Sequence, residues 1–293
     1  MKRHPPAGQI RAVMFTALAA ILWSTGGLAF RLAAADAWTM LFWRSAINTV
    51  VLFAGSAILM RGRLRSAFQS ALTGGLSVSV FLALALILYV LSITNTTVAD
   101  SLTVQAAGPL FIVVLGWVVL REPVRWITCT ALVAVTIGIL LILIPSIERG
   151  GLQGNVFGIA KALAFASAAI AIRRRRSVDT LPAVVFAAAL ATLVGALYAP
   201  SIRVSWQSFF ALAYLGVFQT GLGYLLFAHF SGRIPSSLSG LLVLLESVLG
   251  PIWVWVFLGE IPAALTIVGA VIIITALAVH TLLYPRARPR PET

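Results

Sequence analysis

Gly116-Trp117-Val118-Val119-Leu120-Arg121-Glu122 returns 138 positions later as Val254-Trp255-Val256-Phe257-Leu258-Gly259-Glu260. Outward from this stretch, the same register sets Thr128 on Thr266 and Val133 on Val271. Most other pairs between residues 97–145 and 234–284 exchange one apolar residue for another. Duplication on this scale, in a chain of mean hydropathy +1.03, points to a membrane protein assembled from internal repeats, the architecture of many transporters.

Composition sets the solvent. Of 293 residues, 60% are hydrophobic and 10% charged. Apolar runs of about 20 residues, the length that crosses the hydrocarbon, recur from end to end. A soluble protein of this size would need far more charge to coat its surface. The single cysteine, Cys129, excludes an intrachain disulfide and a thiolate metal site. Polar punctuation predicts ten helices, at 11–33, 38–60, 70–92, 97–119, 125–145, 153–173, 181–199, 206–230, 236–258 and 262–284. The junctions are marked by Arg61, Arg63 and Arg65, by Glu122-Pro123, by Arg173 to Arg176, and by Pro200, Pro235 and Pro262. Proline suits a first helical turn, where its missing donor goes unused.

With the N-terminus in the cytoplasm, that side collects 16 of the 21 Lys and Arg residues and leaves Arg31, Arg149 and Arg203 on the other. The positive-inside rule thus predicts that both termini are cytoplasmic. The formal charge of +13 then reports topology and contact with anionic headgroups rather than nucleic-acid binding. Lys2 and Arg3 precede an apolar run ending at Ala33-Ala34-Ala35. The run from Ala12 to Phe30 is longer than a signal-peptide core, so an uncleaved first helix is expected.

Five helices per copy is an odd number, so the second copy enters the membrane upside down. Leu22-Trp23-Ser24 lies opposite Ala164-Phe165-Ala166 in a similar register. The expected fold is an all-α membrane protein of ten transmembrane helices in two inverted five-helix repeats, residues 1–146 and 147–293. Such repeats place a substrate site near mid-bilayer, open alternately to each side.

Two stretches carry a family resemblance: Gly108-Pro109-Leu110-Phe111 running to Leu120-Arg121-Glu122, and Leu244-Leu245-Glu246-Ser247 running to Leu258-Gly259-Glu260. They resemble the drug/metabolite transporter superfamily and its EamA-type members, in which each half has a mid-span proline and a Leu-Gly-Glu-like ending. Pro109 keeps the first proline, Ser247 replaces the second, and Arg121 stands where glycine is commoner. Within that group the chain looks most like the aromatic and neutral amino acid exporters called YddG. The resemblance implies an inner-membrane exporter of small metabolites, with a cavity lined by the first, third, fourth, sixth, eighth and ninth helices.

An ionised group at mid-span costs about 2.5–3.5 kcal/mol on insertion scales and should face protein or water. Glu246, about ten residues into the ninth helix, and Lys161, about eight into the sixth, offer one charge of each sign to the ammonium and carboxylate of an amino acid. The competing reading pairs them with each other, or lets Lys161 snorkel outward. Arg44, near the start of the second helix, is expected to reach headgroups or pair with Asp36 or Asp100. Asp100 suits the positive end of the fourth helix. Gln105 and Gln219 either line the cavity or join helices, and His229 and His280 read as interfacial anchors. Trp38, Trp43 and Tyr284 fit an aromatic belt. Trp23 and Phe165, deep and at matching points of the two halves, are candidate apolar walls together with Tyr89 and Tyr224, the alternative being lipid-facing or packed core. Gly154 and Gly158 form a G-x-x-x-G packing face, Gly221 and Gly223 a point where a gate could bend. Glu122 and Glu260 are expected to fasten backbone.

The chain contains no H-E-x-x-H, phosphate-loop or dinucleotide motif. An ATP-driven pump would need a nucleotide domain, and an enzyme a nucleophile with its base; the spacing of Ser24 and His229 supports no such pair. A pore is the nearer rival. The expectation is therefore a monomeric secondary carrier, without cofactor or metal, exporting aromatic or neutral amino acids and similar small metabolites. A multidrug or cation exporter is the alternative.

Overall fold

Lipid offers the backbone no hydrogen-bond partners, so uncharged apolar runs must satisfy their own amides, and they do so as helix. The computed structural model describes residues 7–122, 126–174, 179–234 and 236–283. Its α-helices are α1 (Ala7–Ser24), α2 (Gly26–Ala33), α3 (Ala37–Leu59), α4 (Leu64–Gly74), α5 (Leu76–Asn95), α6 (Val98–Gln105), α7 (Gly108–Leu120), α8 (Trp126–Glu148), α9 (Leu152–Arg174), α10 (Thr180–Tyr198), α11 (Trp206–Tyr214), α12 (Gly223–Phe230), α13 (Ser236–Leu258) and α14 (Ala264–Leu283). Ten apolar spans result among the described residues, because α1 with α2, α6 with α7, and α11 with α12 each form one span and α4 forms none. Tyr284, assigned above to the aromatic belt, and Pro123 and Pro235 lie outside the described residues.

The third span starts at Leu76 rather than at residue 70. Gly74-Gly75 interrupts the run, and α4 before it is amphipathic, with Ala67 and Ala71 buried one turn apart and Arg65 and Gln69 exposed. That pattern belongs to a helix lying along a surface rather than one crossing it.

Three spans are interrupted. The first breaks at Thr25, where the Ser24 and Thr25 hydroxyls donate back to the Ile21 and Leu22 carbonyls. The fourth breaks between Gln105 and Gly108, because Pro109 has no amide hydrogen to give the Gln105 carbonyl. The eighth widens into a π-helical turn over Leu215–Leu222. In the second half Pro251 lies within α13 without dividing it, so the proline missing at Ser247 is displaced by one turn, and the two halves bend differently.

The helix contacts map onto themselves when the halves are exchanged. α3 packs on α10 and α8 on α14 across the pseudo-twofold. The contact of α5 with α9 is mirrored by that of the eighth span with α1, and the contact of α7 with α9 by that of α13 with α1. Gly154 and Gly158 permit the tight α5–α9 contact: a Cβ on Gly154 would stand 2.7 Å from the Asn95 carbonyl oxygen, and one on Gly158 3.0 Å from Ser92 Oγ. Val50, Phe53, Val133, Ile137 and Val256 point outward and exposed, as lipid-facing positions do.

Chain ends of the helices gather on two faces. Arg31, Thr94 to Thr97, Arg149 and Glu260 surround one cavity on the first. Glu122 and Arg173 meet on the other, the arginine-rich face.

Candidate functional site

Tyr89, on α5, is the hub of the interior. Its ring lies 5.1 Å from Arg44 Cζ on α3 and 5.7 Å from Lys161 Nζ on α9. Arg44 also stands 5.5 Å from the Phe30 ring, which packs edge-on to Tyr89 at 5.7 Å. Lys161 stands 5.8 Å from Phe165, one turn along its own helix. Glu246 on α13 acts electrostatically on Lys161, Arg44 and Tyr89. Two cations and one acid from α3, α9 and α13 thus share one polar centre.

A second group adjoins the first. Trp23 of α1 packs on Tyr224 at 6.4 Å and Phe227 at 5.2 Å, both from α12. Gly26 joins the groups: a Cβ there would lie 2.8 Å from Gln219 Nε2 and 3.0 Å from the Tyr89 hydroxyl. Only a residue without a side chain lets the broken first span approach both. Gln219 donates to the Trp23 carbonyl at 3.4 Å and accepts from the Thr220 hydroxyl at 2.7 Å. Gln105 donates to Ser101 Oγ, which bonds Ser92 Oγ, and its Cγ would lie 3.7 Å from a Cβ on Gly158, one turn before Lys161. Contacts thus link Tyr89, Lys161 and Phe165 and, through Gly26, reach Gln219, Trp23 and Tyr224; Gln105 lies against the same stretch of α9, and Glu246 joins the group through its charge. Phe165 does not meet Trp23; it stays beside Lys161 and is exposed.

Lys161 and Glu246 come no closer than 4.0 Å, since Arg31–Glu260 and Arg173–Glu122 are the only ion pairs within that distance among the described residues. Neither makes a hydrogen bond to a described residue. Each is half-buried.

Arg44 departs from its expected role. It reaches neither Asp36 nor Asp100; its side chain turns inward, 4% exposed, with Nε and Nη1 buried and without a hydrogen-bond partner among the described residues. Asp36 instead caps α3 through the Trp38 and Thr39 amides. Asp100 does more than face a helix dipole: fully buried, it accepts from Ser146 Oγ and Thr266 Oγ1, each at 2.7 Å, tying α6 to α8 and α14. Asn48 stands one turn beyond Arg44, and that four-residue polar spacing inside an apolar span was the available signal that this face looks inward. His229 bonds Arg233 near a helix end. His280, in the last turn of α14, is buried and bonded to Thr128. Ser24 accepts from Trp253 and has no link to His229.

Two cavities of about 320 Å³ each open away from this centre. One is lined by Arg31, Thr97, Asp100, Arg149 and Glu260, the other by Asp36, Thr39, Ser201 and Arg203. Both lie at helix ends and include none of the eight candidate residues.

Comparison with known proteins agrees with this architecture. Two relatives, the pseudopaline exporter CntI of Pseudomonas aeruginosa strains UCBPP-PA14 and PAO1, are each 28% identical over 246 residues, covering 81% of this chain and 83% of theirs. A crystal structure superposes with a TM-score of 0.68 at 22% identity, over 95% of this chain and 100% of that one, a likeness of fold. The EamA-like transporter family matches residues 10–144 and again residues 152–282, one match in each five-helix half. By that twofold match the chain is a membrane transporter and belongs to the EamA-like transporter family.

Proposed function

We propose that this chain is a secondary carrier of the cell inner membrane that exports small amino-acid-type metabolites by alternating access and catalyses no chemical conversion. The observation that supports this reading is the charged centre, in which Lys161 and Arg44 share the Tyr89 ring while Glu246 faces both electrostatically. An α-ammonium is drawn to Glu246 and an α-carboxylate to either cation; an aliphatic or aromatic side chain finds a wall in Trp23 and Tyr224. A cationic drug would meet two positive groups and one negative, which disfavours the multidrug reading. The lining comes from both halves of one chain, so a single copy suffices. The distribution of Lys and Arg supports an orientation with both ends in the cytoplasm.

The test is counterflow in proteoliposomes. Labelled L-leucine or L-phenylalanine should accumulate only against a preload of unlabelled amino acid, and saturably; accumulation without saturation would indicate a pore, and a new compound in the lumen an enzyme. Lys161→Ala should reduce amino acid counterflow at least tenfold and spare or raise that of a quaternary ammonium compound. The opposite pattern would restore the cation-exporter reading.

A further inference from the structure

We infer that the central site selects amino compounds whose carboxylates outnumber their amines, with Arg44 as the residue that takes the additional carboxylate. The inference rests on the carrier reading above and names its substrate class. It starts from a charge count: Arg44 and Lys161 face one acid, Glu246, within one electrostatically connected centre. Asp100 does not make up the difference, because it lies at the opening of the fourth span, bonded to Ser146 and Thr266, and forms no ion pair with either cation among the described residues.

Hydrogen bonding separates a structural from a functional Arg44. The Phe30 and Tyr89 rings and the attraction of Glu246, shared with Lys161, offset the desolvation of the guanidinium. What stacking and one shared acid leave unmet is hydrogen bonding: Nε and Nη1 are buried and unpaired. Each of those two nitrogens donates in the plane of the guanidinium, on different sides of it, and a carboxylate oxygen is a suitable acceptor for either. The Tyr89 hydroxyl, also buried and unpaired, can donate to the same group. The two cations stand against one ring, so one small molecule can reach both, its amine toward Glu246, one carboxylate toward Lys161 and the next toward Arg44.

The experiment is competition in proteoliposomes, with labelled L-leucine counterflow inhibited by L-leucine, L-lysine, L-glutamate and N-carboxymethyl-L-phenylalanine. The two anionic probes should inhibit at concentrations at least tenfold below L-leucine, and L-lysine should inhibit least. Arg44→Gln should bring the inhibitory concentrations of the anionic probes up to that of L-leucine, each read as a ratio to L-leucine in the counterflow the variant retains; Arg44→Lys should keep part of the anionic preference. Equal inhibition by L-leucine and L-glutamate in the wild type overturns the inference, whatever the variants do, and so does a uniform loss for all probes in a monodisperse Arg44→Gln protein. Absence of any counterflow in the wild type would instead remove the carrier reading.

Discussion

Arg121 ends α7 with φ at 56°, in the left-handed region, and its counterpart in the second half is Gly259 with φ at 70°. The same helix ending is thus built twice, once with the residue it suits and once without. A left-handed L-residue costs about 1–2 kcal/mol, partly offset by the extra chain entropy a glycine loses on folding. Arg121→Gly should therefore raise stability by up to about 1 kcal/mol, read as a higher thermal midpoint in detergent. Gly26 gives the converse. A methyl there must displace the tips of Gln219 and Tyr89, which are flexible side-chain ends rather than backbone. Gly26→Ala should leave the protein folded while raising the half-saturating substrate concentration several-fold in counterflow. At this scale the charges themselves were legible, because a Lys, Arg or Glu inside an apolar run announces itself. Their partners were not: Arg44 was expected at the headgroups, Asp36 or Asp100, since counting residues gives depth along a helix but not the direction of a side chain around it.

At the scale of elements, hydropathy places the ten spans to within about three residues at their ends, apart from the start of the third, where the apolar run does not separate α4 from the span behind it. The interruptions matter more for function. Pro109 frees the Gln105 carbonyl beside a Gln105 side chain whose Oε1 is also unpaired, and discontinuous helices place just such groups at transporter sites. Pro109 sits in the first turn of α7, where proline itself costs little, so Pro109→Ala gains only the bond from residue 109 to the Gln105 carbonyl, about 1 kcal/mol. The expected outcome is a more heat-stable protein with several-fold slower counterflow. A proline can be read from sequence; the π-helical turn at Leu215–Leu222 cannot, because it reflects the packing of the eighth span against α3. The glycines at 221 and 223 marked the neighbourhood of that turn without showing its form.

Across the whole molecule, the two ion pairs are related by the exchange of halves. Arg31 at the end of α2 pairs with Glu260 of the second half, and Arg173 at the end of α9 pairs with Glu122 of the first, on the opposite face. Glu122 and Glu260 are repeat equivalents, so each half fastens the other once per face. The two latches differ in strength. Arg173–Glu122 is exposed on both sides, and such pairs contribute about 0–1 kcal/mol, whereas Glu260 also accepts from the Val98 amide at 2.9 Å, a charge-assisted bond of about 1.5–3 kcal/mol. Breaking a latch should favour opening on its own face. In a Cys129→Ala, Phe165→Cys background, Glu260→Gln should raise labelling by an impermeant maleimide from the Arg31 face about tenfold. Glu122→Gln should raise it from the arginine-rich face by less than about fivefold. Equal labelling from both faces in both variants would show that the pairs do not gate.

Sequence alone determined the solvent, the number of spans, the duplication and the kinds of charge held inside, because each follows from local transfer energy and from a repeat that survives substitution. Tertiary structure alone decided which charges meet, that Arg44 turns inward, and where the first and eighth spans loosen. The reason is that lipid is as apolar as a helix interface. A membrane helix therefore carries little periodic contrast to tell its inner face from its outer one, and its rotation is set only when its neighbours close around it.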